Sequence, residues 1–443
     1  MTETTRAYLS FAVMALLFLA VGFVQGWSLA LAILNLCLIS AIMSLGVNIQ
    51  WGYAGLFNVG VMGFAAVGGL MAVLVSYPPV AEAWAAGGAG ILVSGLLAAI
   101  IAAACYAAYR FMRKGQARMW TISAIILAGY FIIRIAYDPA VDAIESVNPA
   151  ATGFLGGLGI PIIISWAIGG LAAAGIAWII GKISLGLRSD YLAIATLGIS
   201  EIIIAMLKNE DWLTRGVKNV IGLPRPVPYE VDLQQAEWFL NLSASLGMSP
   251  VDFSSIFVKL CYAILFTIVL LVILYLSEKA LNSPWGRMMR AIRDNEISAN
   301  AMGKDITRRH LQVFVLGSAV IGIAGAMLTT LDGQFTPASY QPLRFTFLIW
   351  VMVIVGGSGN NWGAVLGGFV IWFFWIEAEP IGIWLMDSLT AGMAPDNPLR
   401  LHLIDSAAHM RLIVMGLILL LVLRFSPRGL IPERTGQQYN QQQ

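Results

Sequence analysis

The chain has 443 residues, 59% of them hydrophobic and 11% charged, with 45 glycines and a mean hydropathy of +0.80. Those proportions exclude an ordinary soluble domain. The net charge of +2 is close to neutral, so the placement of charge carries more information than its sign, and no nucleic-acid partner is expected. Cys37, Cys105 and Cys261 lie in apolar runs at unrelated spacings and read as buried thiols. His310, His402 and His409 form no ligand motif.

Hydropathy predicts about twelve apolar segments: 8–26, 29–49, 54–76, 89–109, 119–138, 161–181, 190–208, 256–277, 311–330, 344–357, 361–376 and 410–425. Crossing the hydrocarbon takes about 20 apolar residues in a helix. The fold class is therefore all-α, a polytopic transmembrane bundle of about 10–12 spans with broken or re-entrant segments, filling residues 1–443 as one domain. Arg6 followed by an apolar run could mimic a signal peptide. The run exceeds a usual signal core and no small-residue cleavage site comes after it, so it reads as the first span. With both termini on the cytoplasmic side, 17 Lys and Arg fall inside, 8 outside and one, Arg134, within a span, in keeping with the positive-inside rule.

Two stretches make poor lipid-facing helices. Residues 50–60, QWGYAGLFNVG, put glycines and amides at membrane depth; residues 344–357 and 361–376 are short and meet at GGSGNN, 356–361. Broken backbone is tolerated there only where protein buries it or water reaches it, and transporters bind solutes at such breaks. Glycines also let helices approach closely. A single glycine favours that packing role, whereas the two clusters together favour a translocation path. Its candidates are Asn48, Gly52, Gly55, Asn58, Gly60, Gly356, Gly357, Gly359, Asn360 and Asn361, the amides as hydrogen-bonding groups for a zwitterion.

Glu201 stands inside an apolar run, which makes it either a functional group or a structural carboxylate with a neighbouring partner. Arg134, four residues before Asp138, reads as a structural ion pair. GIAWIIGK, 175–182, resembles a phosphate loop but has five residues between its glycines and Ile183 where Ser or Thr is required. No nucleophile–base set points to an enzyme. Loops 209–255 and 378–409 read as external; the first is either a docking cap or a solvated linker. Pro380, Pro395 and Pro398 argue against a regular helix through the second.

The most informative segment is Ser283–Phe314, with seven Lys and Arg between Lys279 and Arg309. Trp285, Met288, Met289, Ile292, Ala299 and Met302 recur near helical spacing, leaving Arg287, Arg290, Arg293 and Asp294 on the remaining surface. Such a helix suits an anionic lipid surface or, with its methionines, a protein groove.

Four blocks resemble the permease subunit of branched-chain amino-acid ABC importers: Gly46–Gly69, Leu187–Ile203, Ser283–Phe314 and Val355–Gly368. LRFSPRGLIPER, 423–434, is similar as well. The resemblance implies a coupling loop, 278–310, whose segment Gly286–Gly303 would sit in a cleft of an ATPase subunit. Within it Gly286, Arg287, Met289, Arg290, Ala291, Ile292, Arg293, Asp294, Ala299 and Gly303 would carry the contact. It implies two cytoplasmic ATPase subunits holding ATP and Mg, no cofactor in this chain, a second homologous permease, a periplasmic binding protein and a bacterial inner-membrane location with the 426–443 tail inside. Glu201 matches an acidic position of the family motif. Residues 104–160 look like an insertion with an extra span, 119–138. Alternatives are a urea or short-amide importer permease, an ion-coupled secondary transporter and a membrane-embedded enzyme.

Overall fold

The computed structural model describes residues 3–148, 152–394 and 397–433. Each of the twelve apolar runs falls on a helix. In chain order these are α1 (Glu3–Val24), α2 (Trp27–Ala54), α3 (Val61–Ser76), α4 (Ala81–Phe111, π-helical over Trp84–Gly88), α5 (Gln116–Val147), α6 (Ile162–Ser184) and α7 (Ser189–Asn209). They continue with α8 (Pro250–Asn282), the two short helices α9 (Pro284–Asp294) and α10 (Glu296–Ala301), then α11 (Ile306–Asp332), α12 (Pro342–Gly356), α13 (Asn361–Leu389), α14 (Pro398–Asp405) and α15 (Met410–Phe425). Nine helices among the described residues are long and apolar enough to cross a membrane, ten if α14 and α15 form one span bent by 58°. Helices α3 and α12 have only 16 and 15 residues, about 24 Å of length against roughly 30 Å of hydrocarbon. The molecule is a multi-pass helical membrane protein.

Helices α2 and α11 run through the centre. Helix α11 packs on α2, α3 and α6, while α2 also meets α8 and α13. Water gives no driving force between helices in lipid, so close backbone approach matters instead. A Cβ on Gly68 would overlap the Gly322 carbonyl oxygen, and one on Gly325 would overlap that of Ala65. Helices α4 and α5 pack on each other and expose Leu96, Ile100, Leu127 and Phe131.

Two expectations need correction, and an open one is narrowed. Pro380 does not stop α13, which continues to Leu389, since neighbouring groups can satisfy the freed backbone of a proline in a membrane helix; no helix spans the whole of 378–409, the next beginning at Pro398, and Pro395 lies outside the described residues. The 209–255 segment, read as either a docking cap or a solvated linker, is folded. Short helices Glu230–Gln235 and Glu237–Ser245 bury Phe239 against Phe253 and Phe257, and strand β1 (Val220–Ile221) pairs antiparallel with β2 (Gln334–Phe335). Of the three thiols only Cys37 is buried, Cys105 and Cys261 being half-exposed. Arg134 and Asp138 do pair, at 2.8 Å on an exposed face.

Candidate functional site: the broken helices and the helical loop beside them

The chain breaks twice at the same end of the bundle, after α2 and between α12 and α13. Helix α2 ends at Gly55, whose left-handed φ of 69° turns the chain into the extended segment that precedes α3. Asn360 begins α13, its Oδ1 accepting from the Trp362 and Gly363 amides at 3.0 and 3.2 Å, a side-chain cap for otherwise unpaired donors. The two breaks touch. A Cβ on Gly52 would stand 2.5 Å from the Gly359 nitrogen, so only glycine allows this approach.

Side-chain amides tie the breaks together. The fully buried Asn48 accepts from the Gly359 amide at 2.8 Å and donates to Asn361 Oδ1 at 3.1 Å. Tyr53 also donates to that oxygen, and Asn361 Nδ2 donates to Glu278 Oε1 at 3.0 Å. A second knot joins α2, α3 and α11. Asn58 donates to Gln50 Oε1 at 2.9 Å and accepts from the Gly60 amide at 2.8 Å; Gln50 donates to the Phe314 carbonyl and to Ser318. Asn48, Asn58 and Asn361 are thus committed to protein partners and present no free amide to a solute in this conformation. Buried polar groups left unpaired would cost about 1–3 kcal/mol each, which explains why the amides cluster where the backbone breaks.

The structure brings Asn48, Gly52, Gly356, Gly357, Gly359, Asn360 and Asn361 together, with Gly55, Asn58 and Gly60 beside them. It does not bring Glu201 there. That carboxylate lies on an exposed face of α7 and makes no ion pair with any described residue, the correction being that α7 turns this face away from the bundle. Gln50, Tyr53, Glu278 and Glu433 belong to the network but are not singled out by sequence reasoning. Gln50 and Tyr53 sit beside glycines that draw the eye, and Glu278 reads as part of the charged loop.

The basic loop is keyed into this end. Ser283 caps α9, accepting from the Gly286 amide at 3.3 Å with Pro284 in the first turn, and Asn295 breaks the helix and caps α10. Gly286 is buried, and Met289 and Ile292 are fully buried. Arg290 and Arg293 are not on the solvent face, which corrects the helical-wheel expectation. Arg293 donates to the Gly52 carbonyl and pairs with Glu433 at 2.9 Å, and Arg290 reaches Glu433 at 3.9 Å. The wheel assumed one continuous helix. The break at Asn295 rotates α10 relative to α9, leaving Met302 and Ile297 79% and 84% exposed. Arg287, Ala291, Asp294 and Gly303 are exposed and Ala299 is half-buried.

Glu433 belongs to a segment that runs back from α15 under the α12–α13 break. The Leu430 and Ile431 amides donate to the Val355 and Gly356 carbonyls at 2.8 Å each, and Asn360 donates to the Pro432 carbonyl at 3.0 Å. Gly357, at φ 120°, makes room for that segment, since a Cβ there would overlap the Ile431 carbonyl oxygen. The last ten residues of the expected tail, 434–443, lie outside the described residues.

A family model described as branched-chain amino acid transport system, permease component, matches residues 142–423. The chain is 28% identical over 211 residues to the high-affinity branched-chain amino acid transport permease LivM of Escherichia coli, covering 46% of this chain and 48% of that relative. It is 27% identical over 317 residues to the probable branched-chain amino acid transport permease LivM of Methanocaldococcus jannaschii, covering 70% of this chain and 77% of that one. A xylose transport permease, XylH of Escherichia coli, is 22% identical over 232 residues. The chain spans about half the length of the enterobacterial relatives. No solved structure matches it.

Proposed function

This chain belongs to the permease family of branched-chain amino acid transport systems, and on that premise we propose that it is one membrane-spanning half of an ATP-driven importer of small aliphatic amino acids. In this reading a second, homologous permease lies beside it, two ATPase subunits bind at the α9–α10 end, and a binding protein delivers the solute to the opposite end. The basic end faces the cytoplasm of a bacterial inner membrane with both termini there. The chain itself needs no cofactor, because ATP and Mg are held by the ATPases.

One observation carries the reading. The α9–α10 loop offers exposed Ile297 and Met302 to a partner, while its other face grips both broken segments through Arg293 and Glu433. A push on the exposed side therefore reaches the Gly52–Gly359 approach through a short chain of charge-assisted hydrogen bonds. Alternating access follows if the two ATPase states favour different arrangements of these breaks, since a shift of equilibrium needs a differential interaction.

The test is co-purification from the native membrane in mild detergent. Wild type should bring down a nucleotide-binding subunit, and the Ile297→Asp/Met302→Asp variant should lose it while keeping its membrane abundance. Equal recovery with both would overturn the docking role.

A further inference from the structure

The short helix Glu237–Ser245 has unlike sides. Phe239 and Ser243 are buried, and rings from the first turns of α8 hold Phe239 in place, Phe253 stacked at 4.8 Å and Phe257 edge-on at 5.7 Å. Glu237, Asn241 and Ser245 form an exposed polar stripe at the four-residue spacing of one helix face. Trp238 and Leu242, one position further round, are apolar and yet 56% and 39% exposed. Single exposed apolar residues are ordinary on a folded surface, so the location of these two decides what they mean.

Trp238 stands at one end of a longer apolar surface. Its ring meets that of Phe257, with centroids 6.3 Å apart. Further along α8, Ile264, Ile268, Leu271 and Tyr275 recur on the same face at helical spacing, each more than half exposed. On a membrane-spanning helix such a stripe faces hydrocarbon. At its far end Lys279 lies over the Tyr275 ring at 5.3 Å, an aromatic and a cation of the kind that mark a membrane–water boundary. Phe257 and Tyr275 are 18 residues apart, about 27 Å of helix against roughly 30 Å of hydrocarbon. Trp238 is thus level with the opposite boundary, where an indole can keep its ring in apolar surroundings and its N–H in polar ones.

We propose that helix Glu237–Ser245 is an interfacial anchor, lying along the membrane boundary at the end opposite the basic loop. Trp238 and Leu242 sit in lipid, and Glu237, Asn241 and Ser245 face water. Amphipathic helices of this kind sink their apolar face about 5–10 Å into the headgroup–acyl boundary. Lipid is the occupant because the face continues the hydrocarbon side of α8, which a water-soluble partner does not reach. The anchorage requires only that the chain spans a membrane, and holds whatever solute it carries.

The experiment uses the full chain in phosphatidylcholine nanodiscs, with Cys37, Cys105 and Cys261 replaced by Ala and a nitroxide on one introduced cysteine. Oxygen partitions into hydrocarbon and a nickel chelate into water, so the ratio of their collision rates with the nitroxide reports depth. Ile264→Cys is the hydrocarbon reference and Asn241→Cys the water reference. The ratio at Leu242→Cys should exceed that at Asn241→Cys by about threefold or more, as for a face sunk about 5–10 Å, and stay below that at Ile264→Cys. Trp238→Cys repeats the measurement at a second position, where the same result is expected. Ratios equal to the Asn241→Cys value would overturn the proposal and leave this face to a soluble partner. Low access to both reagents would overturn it too, since protein and not lipid would then cover the face.

Discussion

Asn361 connects three elements with a single amide, accepting from Asn48 on α2 and Tyr53 one turn later and donating to Glu278 on α8. Replacing it with Ala strands at least two buried partners. We expect a loss of about 1–3 kcal/mol, read as a lower unfolding midpoint in detergent. Asn361→Asp should be worse, because it sets a second carboxylate about 3 Å from Glu278. In a double-mutant cycle with Asn48→Ala, the two losses should fall short of additivity by about 0.5 kcal/mol or more. Gly357→Ala should cost at least about 2 kcal/mol, combining a disfavoured φ of 120° with a clash against the Ile431 carbonyl. That variant should also fail to restore transport at normal temperature. A substituted residue that leaves the unfolding midpoint untouched at either position would mean the broken segments are held by something else.

Among the elements, α9 and the 428–433 segment act as one piece. Each alone would be a short polar stretch at a membrane surface, and short helices are marginal in isolation. Together they are held by Arg290, Arg293 and Glu433, and through them by Gly52 and Gly356. Glu433→Gln keeps the shape but removes the charge that both arginines share. It should raise hydrogen exchange across Pro284–Asp294 by about tenfold and lower transport while leaving membrane abundance unchanged. Combining it with Arg293→Gln should give less than the sum of the two effects, because both break the same pair although Arg293 also loses the Gly52 carbonyl; full additivity would show that the two residues act separately. Pro380 carries a different lesson. A rule learned from soluble helices predicts a stop, yet α13 runs nine residues further because the surrounding bundle supports it.

For the molecule as a whole, the two ends differ in kind. One carries the basic loops, both breaks and the 428–433 segment; the other carries the folded 209–249 segment and the β1–β2 pair. If the basic end faces the cytoplasm, then in a background free of native cysteines Leu246→Cys should react with an impermeant maleimide on intact cells. Arg113→Cys, in the α4–α5 turn, should react only after the cells are opened. The reverse pattern would invert the topology and with it the proposed placement of an ATPase and a binding protein.

What the amino-acid sequence determined by itself was the part of the structure governed by solvent. Twelve apolar runs became helices because a backbone in hydrocarbon must satisfy its own hydrogen bonds, and hydropathy registers that requirement residue by residue. The two breaks were legible too, since glycine and amide runs at membrane depth have few other uses. Tertiary structure decided where those breaks meet and what each polar side chain does on arrival. Nothing local says that Glu433 reaches Arg293 across 140 residues of chain, that Asn48 faces Asn361 and not solute, or that Glu201 turns outward. A hydrogen bond between distant segments depends on helix rotation and packing, which the period of a single helix leaves undetermined.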